Sequence, residues 1–161
     1  MKLRISVGKG IDNYIDELTH LDAATDDILG KAVYEGAKIV IGQVKSNLDA
    51  LKTDDRPGIV DKRQGIKSIQ KTGLQNSLGI AKHRIEGGYY NVKIGFDGYN
   101  GMKTDKYPNG QPNAMIARTA ESGNSFTKKT PFVGPAIRAT KDTAERKMAE
   151  VVDLEIKKKM N

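Results

Sequence analysis

The feature that most constrains this chain is an apolar stripe. Leu29, Val33, Gly36/Ala37, Val40, Val44, Leu48 and Leu51 recur in steps of three and four residues. Such steps return to one face of an α-helix, so the spacing predicts a helix of about thirty residues, from roughly Ala23 to Lys52. The ends agree with the stripe. Asp22 can cap the start, Asp26 and Asp27 lie where the positive end of the macrodipole favours acids, and Lys45 and Lys52 lie near its negative end.

A second helix is expected at the other end of the chain. Pro135 can open it, because the first turn of a helix has no use for the N–H that proline lacks. Ile137, Ala144, Met148 and Val151/Val152 continue its apolar face to about Lys158, with Asp142→Arg146 and Asp153→Lys157 as favourable i,i+4 pairs. Between the helices, Ile80–Ile85 and Tyr90–Phe96 read as strands joined at Glu86-Gly87-Gly88-Tyr89, since Gly-Gly accepts the positive φ of a tight hairpin turn. Tyr90, Val92, Ile94 and Phe96 share one face of the second strand, with Asn91 and Lys93 on the other.

Shorter elements complete the reading. Alternation of Leu3, Ile5 and Val7 with polar residues predicts a strand ended by Gly8-Lys9-Gly10, and Ile11, Tyr14, Ile15 and Leu18 predict a short helix over Asp12–Thr19. Residues 73–77 allow one helical turn, and Ala114–Glu121 a short helix followed by a polar segment, Ser122–Thr130. The stretches 53–72 and 98–113 lack periodicity and are expected to be mobile loops. The fold class expected is therefore α+β, a single domain of residues 1–161. In it a long helix in the N-terminal half and a C-terminal helix pack on a small antiparallel sheet with long loops.

Composition narrows the chemistry. The 161 residues include no cysteine, which removes disulfides, thiolate metal sites and thiol nucleophiles and suits a reducing compartment. The longest apolar runs, such as Ile39-Val40-Ile41, fall far short of the roughly twenty residues of a membrane span, and no signal-peptide pattern follows Met1-Lys2-Leu3-Arg4. A soluble, unexported protein with no membrane partner is expected. The net charge of +7 permits contact with nucleic acid or with an acidic protein face.

No catalytic, metal or cofactor constellation emerges. His20 and His83 stand far apart without a second ligand at metal spacing. Asp26-Asp27 belongs to a helix start and Asp54-Asp55 to a turn, where acids are favoured locally. Ser68-Ile69-Gln70-Lys71 overlaps Lys71-Thr72-Gly73 on one lysine, whereas penicillin-binding enzymes need those two elements to converge from afar. Gly8-Lys9-Gly10 completes no phosphate loop.

One resemblance organises what remains. Val7-Gly8 leads into Ile11, Thr72-Gly73-Leu74-Gln75-Asn76-Ser77-Leu78 precedes the hairpin, Ala117-Arg118-Thr119-Ala120-Glu121-Ser122-Gly123 follows it, and Pro131-Phe132-Val133-Gly134-Pro135-Ala136 opens the terminal helix. In this order the chain resembles the tail-component, or tail-completion, family of long-tailed bacteriophages. It departs from that pattern in residues 53–70, in the enlarged 98–112 loop and at Gly134, where the family often carries a basic residue. The resemblance implies a virion structural protein, made in the bacterial cytoplasm. Such a protein completes the tail or joins it to the head at the neck, with other neck and tail proteins as partners and a homo-oligomeric ring as its working state.

It also directs attention to Phe132, Pro131, Pro135, Glu121 and Arg118 as assembly residues. Two prolines hold Phe132 in an extended stretch, so it could be presented to a neighbour's pocket at low entropic cost, or it could plug its own core beneath the terminal helix. Glu121 could pair with Arg118 or a neighbour's lysine, or cap amides at the turn made by Gly123. The basic loop carrying Arg56, Lys62, Arg63, Lys67 and Lys71 is the candidate DNA-facing surface, although it lacks interleaved aromatics for stacking. A small basic nucleic-acid-binding protein is the alternative class.

Overall fold

The computed structural model describes residues 2–6, 24–58 and 61–161. The turn at Gly8-Lys9-Gly10, the helix over Asp12–Thr19, the Asp22 cap and His20 lie outside the described residues. In chain order the elements are β1 (Lys2–Ser6), α1 (Ala24–Asp49), α2 (Ser68–Ser77), β2 (Leu78–Ile80), β3 (Arg84–Glu86), β4 (Tyr89–Phe96), α3 (Asn113–Ser122) and α4 (Val133–Met160). The class is α+β, with helices against a small antiparallel sheet. No helix among the described residues is long and apolar enough to cross a membrane.

β4 is the centre of the sheet. β1 flanks it on one side and β2 on the other, and β3 also pairs with it, antiparallel, with Arg84 opposite Asn91 and Glu86 opposite Tyr89. The sequence predicts one strand over Ile80–Ile85, but two short strands form. From Ala81, whose amide reaches the carbonyl of Lys93 at 2.8 Å, to Arg84 opposite Asn91, one strand advances three residues while β4 advances two. That is a β-bulge, which interrupts the ladder at Lys82 and His83. Gly87 and Gly88 take φ of 60° and 80°, as a type I′ hairpin turn requires.

Val92, Ile94 and Phe96 are buried as the alternation predicts, but Asn91 on the opposite face is also only 2% exposed. The sheet is therefore covered on both faces at that point. Tyr90 is half-buried and its hydroxyl donates to Asp26. Burial first, and then the neighbouring Asp26 carboxylate, push the phenol up to about 12.

The described residues cluster into two compact units. One gathers Ile41–Gly79 and Gly95–Arg138, with Leu48, Ile66, Leu74, Ile116 and Phe132 among its buried side chains. The other gathers residues 24–40, Ile80–Ile94 and Ala139–Asn161, built on Leu29, Val33, Val40, Val92, Met148 and Val152. Within the second, Gly36 brings α1 close to α4: a Cβ there would meet Met148 Cγ at 2.7 Å. The stripe thus contains a glycine because a side chain would occupy the space that Met148 fills.

Helix ends differ from expectation in instructive ways. Asp26 and Asp27 do occupy the first turn of α1, but its last turn has no basic residue. Lys71 supplies the charge from elsewhere in the chain, donating to the carbonyls of Asp49 and Leu51 at 2.8 Å each. On α4 neither Asp142–Arg146 nor Asp153–Lys157 closes. Glu155 instead pairs with Lys158 at 2.9 Å and with Lys31 at 2.6 Å.

The two stretches expected as loops are more ordered by hydrogen bonding than their composition suggests. α2 starts at Ser68, inside the predicted loop of 53–72, where only Leu74 is buried and no apolar stripe announces a helix. Its entry is organised by neighbours: Asp55 Oδ1 accepts the Ser68 amide at 2.8 Å and Gln70 Oε1 accepts the Lys67 amide at 2.9 Å. The 98–112 loop is stitched by isolated bridges, Tyr99 opposite Pro112 and Thr104 opposite Tyr107.

Candidate functional site

Two of the segments singled out in the sequence, 117–123 and 131–136, meet in one place. α3 ends at Ser122 and α4 begins at Val133. Glu121, in the last turn of α3, turns its carboxylate onto the start of α4: Oε2 accepts the amides of Phe132 at 2.9 Å and Val133 at 3.0 Å, and Oε1 accepts that of Gly134 at 2.8 Å. The next residue, Pro135, has no amide to satisfy. One carboxylate therefore caps the positive end of the terminal helix from eleven to thirteen residues away.

This arrangement decides between the readings of Glu121. It is a cap, as one expectation had it, but of α4 and not of the turn at Gly123, and it makes no ion pair with Arg118, which is exposed. Pro135 lies in the first turn of α4, two residues after the helix starts, because the Glu121 cap allows the helix to begin at Val133. Pro131 is exposed and Pro135 half-buried.

Phe132 lies inside its own subunit. It is 1% exposed, its ring meets Phe96 edge-on at 5.8 Å between centroids, and its carbonyl accepts from Asn47 Nδ2 at 3.0 Å. An aromatic so enclosed is not presented to a neighbour's pocket.

The basic loop is built around an acid. Asp54, 7% exposed, receives Arg56 Nε at 2.8 Å and Nη2 at 2.5 Å, and the amide of Gln64 at 2.7 Å. Arg56 first, then the Gln64 amide, hold its carboxyl well below the usual carboxylate range. Arg63 donates to the carbonyls of Arg56 at 2.8 Å and Gly58 at 3.2 Å. With Lys71 bound to the end of α1, three of the five candidate DNA-facing cations are occupied by acceptors of this same chain. The Lys67 amide joins the entry to α2, and Lys62 is the member that faces an open cleft.

That cleft, of about 510 Å³, is lined by Lys62, Ser122, Gly123, Asn124, Thr127, Lys128 and Lys129. It exists because a short parallel bridge, Arg63 beside Thr127, ties the basic loop to the segment after α3. The Arg63 amide donates to Phe126 O and the Lys128 amide to Arg63 O, both at 2.8 Å. Asn124 Oδ1 accepts the amides of Phe126 at 2.9 Å and Thr127 at 2.8 Å, closing a tight turn. Phe126, at the tip, is 74% exposed.

Comparison with known protein families, curated proteins and solved structures returns no match.

Phe126 lies within the segment Ser122–Thr130, whose composition is otherwise polar, and nothing in that composition marks it as a site. A phenylalanine between Asn124-Ser125 and Thr127-Lys128-Lys129, with no apolar periodicity around it, was the available signal. Among the described residues no group of three or more His, Cys, Asp or Glu side chains is placed to hold a metal ion.

Proposed function

We propose that this chain is a structural component of a tailed-phage virion, which completes the tail or joins it to the head at the neck by packing copies of itself into a ring, and that it works without catalysis. The observation that carries this reading is the Glu121 bracket. The Glu-x-Gly and Pro-Phe-x-x-Pro-Ala segments, which carry the most selective part of the resemblance, form one closed unit in which the carboxylate caps α4 and Phe132 fills the core. Together they fix how the chain enters its terminal helix, an architectural task.

A virion component travels with the particle. In density-gradient-purified phage from a host carrying this gene, peptides of the chain should be found at a constant ratio to the major tail protein. A chain recovered only from the lysate, and retained there on DNA, would point to the basic nucleic-acid-binding class instead.

A further inference from the structure

We propose that the Phe126 turn and the cleft beside it form a contact site for single-stranded nucleic acid, with a base stacked on Phe126 and backbone phosphates held among Lys62, Lys128 and Lys129. A chain with no place in a virion would keep this site, since it depends only on the residues that line it.

Three features converge. The first is an aromatic ring in water on a fixed stretch of backbone: Phe126 is 74% exposed, while its amide is held by Asn124 and its carbonyl by the Arg63 amide. A turn already closed loses little backbone freedom when a base stacks on the ring it displays. The second is charge. Lys62, Lys128 and Lys129 line one cleft and form no ion pair among the described residues, whereas Lys31, Lys38, Lys93, Lys147 and Lys158 are each paired with a glutamate. The nearest acids in the chain are Asp61, next to Lys62, and Glu121, whose oxygens already serve three amides. The third is neutral hydrogen-bonding capacity in the same cleft, from Ser122, Asn124 and Thr127.

A groove of positive charge next to an exposed aromatic is what strands without fixed sequence preference bind. The faces of paired bases are already stacked on one another, so the ring favours a single strand over a duplex. An acidic protein segment would satisfy the lysines equally but has no general use for a solvated phenyl face. Residues 56–71 themselves contain no aromatic side chain. The fold brings the backbone of Phe126, and with it an exposed ring, to the basic loop from more than sixty positions along the chain.

The test is fluorescence anisotropy of the full chain with a labelled oligothymidylate about twelve nucleotides long, a matched duplex, and polyglutamate as competitor. The strand should bind more tightly than the duplex, and Phe126→Ala should weaken it about 5- to 150-fold without changing the salt dependence. Each of Lys62→Ala, Lys128→Ala and Lys129→Ala should lower the slope of log affinity against log salt by about 0.7. All four side chains are exposed, so the variants should melt as the parent does. A folded parent that does not bind the strand, a silent Phe126→Ala, a duplex bound at least as well, or polyglutamate displacing the strand at equal charge would each overturn the proposal.

Discussion

The carboxylate of Glu121 holds the amide of Gly134 at 2.8 Å across thirteen residues of chain. With the Phe132 and Val133 amides on the same carboxylate, it makes the end of one helix and the start of the next a single mechanical piece. Charge-assisted bonds of this kind to otherwise orphaned amides are among the stronger local interactions a small domain has.

Glu121→Ala should therefore destabilise the chain by about 2 to 3 kcal/mol, because three donors lose one charged acceptor. Glu121→Gln should fall between the two, keeping a carbonyl but no charge. Arg118→Ala, three residues earlier on the exposed face of α3, should stay within about 0.5 kcal/mol. Denaturant melts of the three variants check this order.

Two of the three phenylalanines should behave in opposite ways. Phe132→Ala removes a ring that is 1% exposed and packed on Phe96, and should cost about 3 to 5 kcal/mol. Phe126→Ala removes a ring that is 74% exposed and should leave stability within about 0.5 kcal/mol. Equal thermal shifts for the two would contradict the placement of both.

Gly36→Val should destabilise by about 1 to 3 kcal/mol through overpacking, since even a Cβ would sit 2.7 Å from Met148 Cγ. Gly42, with open space around it, is the control, where Gly42→Ala should stabilise slightly through helix propensity. Paired thermal melts distinguish the two sites.

Acid should weaken the fold through depressed carboxyls. Glu155, bonded to Lys31 and then Lys158, is held down to about 2 from 4.5. A carboxyl lowered on folding stabilises above its unfolded value, and that contribution fades as pH falls from about 4.5 to about 2. The gap in melting temperature between the parent and Glu155→Gln should be widest near neutrality and narrow across that window. Asp54, also depressed, should carry the loss further toward strong acid. A gap that widens on acidification would reverse the assignment.

Much of this architecture was legible in the sequence, and the parts that were not share a cause. The stripes of α1 and α4 and the Gly87-Gly88 turn are local patterns, and local patterns survive translation into structure. α2 buries only Leu74, so it left no stripe to read, and its start depends on Asp55 from another segment. The bulge at Lys82-His83 adds a single residue to a run whose composition still looks like one strand. Arg56, Arg63 and Lys71 read as cations facing outward because sequence shows charge without showing the carbonyls and the carboxylate they bind. The Phe126 cleft is a product of tertiary pairing between residues 63 and 127, which no window of sequence contains.

The most direct measurement of the central claim is electron microscopy of particles from a phage or induced prophage lacking this gene, with the gene supplied in trans as control. Filled heads beside unattached or unfinished tails, restored to whole virions by complementation, are the expected result. Normal, infectious virions without the gene would contradict it.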